Sequence, residues 1–292
     1  MLSYQHDYHA GNHADVLKHS VLALVIRALQ RKDTPLRVID AHAGSGVYDL
    51  RSHEARKNAE FAGGIERLLA APNPPLEVHD YLAVVRALNG AMKGVVNEAI
   101  AGGSADLRLY PGSSQVARHL LRAEDHLELL ELHPGALARL HRNFGRDPRV
   151  HIHGRDAFEG LPALVPPAER RGVVLMDSAY EVKEDFLGVV ELLKACHRRW
   201  AGGVYLLWYP LIRHPLAERF TAKVRATGIP KILQVELQVE TEGFAGMRGS
   251  GLCIVNPPYG LDQKLNALLP CLWQTLKNDE RSAWRVEWLT AP

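Results

Sequence analysis

The stretch Leu36 to Tyr48, "LRVIDAHAGSGVY", decides how the rest of the chain is read. Its first half is an apolar run of strand length that ends in Asp40, and its second half is a turn holding Gly44 and Gly46. Ligands of open α/β sheets sit outside the carboxyl ends of the parallel strands, which is where such a run would deliver Asp40. The two glycines let backbone approach a ligand closely. The spacing is weaker than G-x-G-x-x-G, so a nucleotide site and a plain turn both remain open on these residues alone.

Upstream, Leu17, Val21, Leu24, Val25 and Ala28 fall at i, i+4, i+7, i+8 and i+11. That period predicts an amphipathic helix over His13 to Gln30, with Asn12 as its N-cap. Downstream, between Asp49 and Leu107, the pattern is helical, with one stripe at Phe61, Ile65, Leu68 and Leu69 and another at Tyr81, Val84, Val85 and Leu88. The end of this region, "GAMKGVVNEAIAGGSAD" (90–106), is rich in Gly and Ala and reads as loosely structured. Residues 49–107 are therefore expected to be an inserted helical subdomain, and residues 1–48 and 108–292 the main domain.

Strand-helix alternation resumes with "HLELLELH" (126–133), "RVHIHGRD" (149–156), "GVVLMD" (172–177) and "GVYLLWYP" (203–210). This predicts an α/β domain, a parallel sheet covered by helices. "KILQVELQVE" (231–240) and "GLCIVNPPY" (251–259) are joined by a Gly-rich ten-residue connection without helical pattern, as in an antiparallel hairpin at one edge of that sheet. A helix near Asp262 to Lys277 and the alternating "AWRVEWL" (283–289) follow.

At 292 residues and 47% hydrophobic content the chain has enough apolar material for a full core. It has no run of 18 apolar residues, and "MLSYQHDYHAGNHADVLKH" is polar where a signal peptide would be apolar. A soluble cytoplasmic protein is expected. Cys196, Cys253 and Cys271 lack C-x-x-C spacing and read as buried thiols. The net charge is +2, but from Lys194 to Lys231 eight Lys and Arg face one acid, Glu218. That run reads either as a solvated face or as a phosphate-contacting surface.

Four predicted strands end in acids at one edge: Asp40, Glu131, Asp156 and Asp177. A ribose has two vicinal hydroxyls that donate well to one carboxylate, and Glu131 lies where dinucleotide folds place such an acid. Asp156, one strand further, is placed to accept from the exocyclic amine of adenine. Together they describe an adenosine-containing ligand with no phosphate cradle, for which S-adenosylmethionine is the candidate. His42 in the turn and His19 on the first helix are placed to line the same pocket.

Three histidines near the N-terminus, His6, His9 and His13, have the spacing H-x2-H-x3-H. A catalytic metal wants three such ligands, which keeps a metal-dependent hydrolase as an alternative. The plainer reading is hydrogen-bonding polar residues and no metal, since His6 and His9 precede the helix. This N-terminal segment is expected to lie over the site mouth, bringing Tyr4 and His6 there beside Lys18, a cation close to the pocket.

These residues are recognisable together. "MLSYQHDYHAGNHADVLKH", "DAHAGSGVY", "YPGSSQVAR", "LELHP", "RRGVVLMD", "LWYP", "ATGIPKILQVEL" and "VNPPYG" stand in the order and spacing of the RlmJ family of 23S ribosomal RNA adenine-N6 methyltransferases, which the chain resembles over nearly its whole length. The resemblance implies a Rossmann-like methyltransferase sheet, S-adenosylmethionine as donor, and an unpaired or flipped adenine of 23S rRNA as acceptor. It puts His19, His42, Ser113, Glu131, Asp156, Ala157 and Asp177, with the Gly44–Gly46 turn, on cofactor-contacting positions, and Asp177 on the catalytic one. The expected partner is free or early-assembly 23S rRNA, contacted by Tyr4, His6 and Lys18 with Lys18 serving a phosphate, and the expected state is a monomer.

The sequence departs from the family's usual D/N-P-P-Y/F/W at "DSAY", Asp177 to Tyr180. Adenine N6 is a poor nucleophile because its lone pair is delocalised into the ring. A carboxylate and a backbone carbonyl can hold its hydrogens so that the lone pair points at the donor methyl, and an aromatic ring can stack on the extruded base. Asp177, the Ser178 carbonyl and Tyr180 can play these parts, but two rigidifying prolines are gone. A catalytically impaired RNA-binding relative is the resulting alternative. "NPPY" does occur, at Asn256 to Tyr259, but on an antiparallel strand whose carboxyl end lies at the opposite edge of the sheet.

Overall fold

The computed structural model describes residues 4–90, 107–182 and 184–291. The stretch read as loosely structured, 90–106, lies outside the described residues but for Gly90. Helix α1 (His13–Leu29) begins where Asn12 accepts from the Ala14 and Asp15 amides. It is buried from Ala14 to Ile26 on every side. The amphipathic reading captured one of its faces; the other, carrying Asp15, Lys18 and His19, is buried as well.

Strand β1 (Arg37–Asp40) leads into β2 (Val47–Asp49), and α2 (His53–Asn58), α3 (Ile65–Ala70) and α4 (Leu76–Gly90) follow. Strand β3 (Leu109–Pro111) returns beside β2, with Tyr48 opposite Tyr110. Tyr81, Val84 and Val85 of α4 join the same apolar core as Leu17 and Val21 of α1. The remaining elements are α5 (Ser113–Leu120), β4 (His126–Leu130), α6 (Pro134–Phe144), β5 (Val150–His153), α7 (Ala157–Leu164), β6 (Gly172–Met176), α8 (Asp185–Arg199), β7 (Val204–Leu211), α9 (Pro215–Glu218), α10 (Phe220–Arg225), β8 (Ile232–Gln238), β9 (Gly249–Val255), α11 (Leu261–Leu276) and β10 (Trp284–Thr290).

The main sheet has the order β10-β8-β9-β7-β6-β1-β4-β5. Strands β7, β6, β1, β4 and β5 are parallel, and β9 is antiparallel to both β7 and β8. The outermost antiparallel strand is β10, so the β8–β9 hairpin is shielded by the last strand of the chain. Successive strands go β1, β4, β5 to one side and then jump to β6 on the other side of β1. That reversal opens a crevice at the carboxyl ends of β1, β4 and β6, the place where ligands of such sheets bind.

Val38, Leu127, Leu129, Val173 and Leu175 face one core with α1, α5 and α11. Ile39, Leu130, Val174 and Met176 face the other with α7 and α8. Burial on both faces is why these strands lack polar alternation. Among the described residues no helix is long and apolar enough to cross a membrane.

Candidate active site

At the carboxyl edge of β1, β4, β5 and β6 the structure opens a cavity of about 1040 Å³. Every residue assigned to the site from sequence lines it except Gly46, which sits behind the turn. A Cβ on Gly46, at φ +75°, would come 2.1 Å from the Phe144 ring. Gly44, at φ +60°, forms the wall itself, and a Cβ there would meet the Tyr48 hydroxyl at 2.2 Å. Both positions need glycine for conformation and for space.

Glu131, just beyond β4, clamps this turn. Its Oε2 accepts from the Gly44 amide at 2.8 Å and its Oε1 from the His133 amide at 2.7 Å. Asp156 caps α7 by accepting from the Phe158 amide at 2.8 Å through Oδ1, and Ala157 is buried beside it. Ser113 opens α5, brought to the site by the β2–β3 pair: the Gly112 amide donates to the Gly46 carbonyl at 2.9 Å. Asp40 is buried beneath, 1% exposed, and burial raises its carboxyl to about 6.

His42 reaches across from the turn, and the Asp177 amide donates to its Nδ1 at 3.3 Å. His19 is 1% exposed, with its Nδ1 2.8 Å from the Tyr110 hydroxyl, which is 2.9 Å from that of Tyr81. Burial lowers His19 to about 3, so the imidazole is neutral at physiological pH.

Asp177 follows β6 directly. Its Oδ2 accepts from Lys18 Nζ at 2.6 Å, and the same ammonium lies 2.9 Å from Asp15 Oδ1. Here the structure corrects the sequence reading, which gave Lys18 to an RNA phosphate. The Lys18 side chain is 4% exposed and bound between two carboxylates, one of which, Asp15, is itself bound by His6 and the Gly11 amide of the preceding segment. Burial pushes Lys18 down, but Asp15 and Asp177 outweigh it and hold its ammonium above the ordinary range.

Ser178 is buried. Tyr180 takes a left-handed φ of 52° and packs its ring 4.4 Å from Phe186 and 5.9 Å from Trp208. Its hydroxyl donates to the Trp208 carbonyl at 2.6 Å, and only 9% of the residue is exposed. The loop without prolines is thus held by a buried ring and its hydrogen bond.

At the mouth, Tyr4 stacks on His9 with centroids 5.7 Å apart, and its hydroxyl is 2.8 Å from His6 Nδ1. His6 Nε2 lies 2.9 Å from Asp15 Oδ2, while His9 lies 2.9 Å from Glu60. His6 and His9 therefore turn to different carboxylates, and among the described residues no cluster of metal-ligating side chains is found. The basic run from 194 to 231 also fails to form one patch. Lys194, Arg198 and Arg199 ride the end of α8 away from the site, whereas Arg213 and Arg219 flank α9 beyond the carboxyl end of β7.

Two contributors escaped the sequence reading. Asp15 is one; its i, i+3, i+4 relation to Lys18 and His19 was a readable sign of a shared polar face. Trp208 is the other, with Lys18 Nζ 5.6 Å from its ring centroid. The β8–β9 connection adds Phe244 and Met247 to the cavity wall. Asn256, by contrast, points its amide at the Ala201 and Gly203 carbonyls, both at 2.8 Å, at the opposite edge of the sheet.

Residues 33–290 match the family described as ribosomal RNA large subunit methyltransferase D, RlmJ. The chain is 41% identical over 290 residues to ribosomal RNA large subunit methyltransferase J of Escherichia coli (strain K12), covering 99% of each chain. It is 39% identical over 291 residues to the protein of that name from Haemophilus influenzae, again covering 99% of each. A crystal structure of a Legionella pneumophila protein superposes with a TM-score of 0.84 at 33% identity, over 96% of this chain and 98% of that one.

Proposed function

The chain belongs to the RlmJ family of ribosomal RNA large subunit methyltransferases, and from that premise we propose that it transfers a methyl group from S-adenosylmethionine to the N6 amine of one adenine in 23S rRNA. The observation that carries the reading is the convergence of Asp177, Glu131, Asp156 and the Gly44 turn on one cavity. These residues suit an adenosine-bearing donor. Glu131 is placed for the ribose hydroxyls and Asp156, whose Oδ1 is taken by its helix, has Oδ2 for the adenine amine. His19, His42, Ser113 and Ala157 complete the walls. When bound, S-adenosylmethionine supplies an electrophilic methyl on a sulfonium sulfur.

The protein's part is to orient the acceptor. With Oδ2 held by Lys18, Asp177 accepts one N6 hydrogen through Oδ1, and the Ser178 carbonyl accepts the other. Holding both hydrogens rotates the lone pair out of the base and toward the donor, and positioning of this kind is a large share of catalysis. Tyr180 fixes the loop and offers the base the part of its ring that borders the cavity. Tyr4 and His6 sit at the mouth as RNA contacts. The base must be unpaired or flipped to reach Asp177, which favours free or early-assembly rRNA as substrate.

The same reading takes the enzyme as a cytoplasmic monomer, with residues 49–107 as a helical insertion in a domain of residues 1–48 and 108–292. Labelled methyl transfer to in vitro transcribed 23S rRNA, followed by mapping of the modified position, tests it. Transfer to a single adenine, abolished by Asp177→Ala with donor still bound, is the expected result. RNA binding without transfer by the parent protein would instead mark a non-catalytic relative.

A further inference from the structure

Lys18 has one ammonium and two carboxylates on it, from Asp15 and Asp177, at 2.9 and 2.6 Å. The side chains of Asp15 and Lys18 are 1% and 4% exposed, so solvent does little to screen this cluster. Asp15 is itself immobilised. Its Oδ2 accepts from the Gly11 amide at 2.9 Å and faces His6 Nε2 at 2.9 Å, while its backbone belongs to the first turn of α1. An acid in a helix's first turn is ordinarily explained by the helix dipole. That account explains neither the burial nor the placement of an ammonium against a second carboxylate 159 residues away.

We propose that Asp15 is a positioning residue for methyl transfer, which acts through Lys18 to orient Asp177 and to keep it a strong acceptor for the target amine. The inference rests on the proposed role of Asp177. A lysine ammonium carries three donors on a flexible stem, so its place is set by its acceptors. Asp15 pins it from the helix side, and the ammonium in turn holds Asp177 by one oxygen and leaves the other aimed at the cavity. The second carboxylate also shares the positive charge. With Asp15 neutral, Lys18 would pair wholly with Asp177, and a carboxylate closed in a full ion pair accepts the N6 hydrogen less well. Burial pushes the Asp15 carboxyl up, but the Lys18 ammonium and His6 at its Oδ2 outweigh it and hold Asp15 ionised, well below the ordinary carboxylate range.

The test is Asp15→Asn, which preserves shape and an acceptor oxygen but removes the charge. The expected variant binds S-adenosylhomocysteine and 23S rRNA within about twofold of the parent, keeps its KM values, and loses at least tenfold in kcat. Because the effect passes through Lys18, adding Asp15→Asn to Lys18→Met should cost little more than Lys18→Met alone in single-turnover assays. A folded Asp15→Asn variant with parental kcat, or losses that multiply in the double variant, would overturn the proposal. Should Asp15→Asn not fold, His6→Gln, which loosens Asp15 from its outer side, takes its place at saturating RNA. A drop in kcat of about fivefold or more supports the proposal, and parental kcat overturns it. Asp177→Ala run beside them separates the two levels: parental activity there removes the proposed function, whereas an inactive Asp177→Ala with a fully active Asp15→Asn removes only the role of Asp15.

Discussion

The Tyr180 hydroxyl donates to the Trp208 carbonyl at 2.6 Å, tying the loop after β6 to strand β7. This contact restrains a loop that lacks the two prolines of the usual motif. Tyr180→Phe keeps the buried ring and removes only the hydrogen bond. It is expected to lower stability by about 1 kcal/mol, the typical worth of such a bond, and to lower kcat several-fold with donor affinity unchanged. Denaturant unfolding with steady-state kinetics checks this; unchanged kcat would show that the loop is held without the bond.

Lys18→Met should leave the salt dependence of RNA binding as it is in the parent, because a lysine enclosed by Asp15 and Asp177 releases no counterions from RNA. It should destabilise the fold by about 3 to 5 kcal/mol, since two buried carboxylates lose their cation. Filter binding across a salt series decides the point, and a slope reduced by about one would restore Lys18 as a phosphate contact.

Glu131→Ala removes the acceptor of the Gly44 and His133 amides as well as the proposed ribose contact. Donor binding should weaken by about 1 to 3 kcal/mol. Calorimetric titration with S-adenosylhomocysteine reads it, and an unchanged affinity would take Glu131 out of the cofactor site.

His19 carries a pH signature. Its folded form is lowered by burial to about 3, against an ordinary 6.5, so the unfolded chain binds the proton more readily. The stabilisation is complete above pH 6.5 and is lost as pH falls toward 3, at up to about 1.4 kcal/mol per pH unit. Asp40, raised by burial to about 6, works the other way as pH falls below 6. His19→Gln should therefore lose less stability than the parent between pH 7.5 and 5. Parallel unfolding curves for the two proteins across that range would contradict the assignment.

Asn256→Ala should leave methyl transfer nearly intact while costing about 1 to 2 kcal/mol of stability, because two carbonyls lose their donor. An inactive but folded Asn256→Ala variant would move the catalytic motif to the NPPY stretch.

The elements that periodicity could reveal were legible from the chain. Helix α1 with its Asn12 cap, the parallel strands, the glycine turn after β1 and the acids after β4, β5 and β6 each follow from side-chain pattern over a few neighbouring residues, where local propensity and the sheet's direction suffice. Strands β2 and β3 did not, since three residues each carry no readable period and exist because Tyr48 and Tyr110 pair across 62 residues. The environment of Lys18 was equally out of reach: a lysine on a helix is ordinarily solvated, and only the fold buries it and places a carboxylate from residue 177 on it. Tyr180 likewise reads as a stacking aromatic in sequence, and tertiary packing made it a loop anchor. Local residues set what each element is, because backbone preferences and burial periodicity act within a few turns. Which charges meet in the cavity was decided by tertiary structure, because pairing energies depend on distances and desolvation that no stretch of sequence contains.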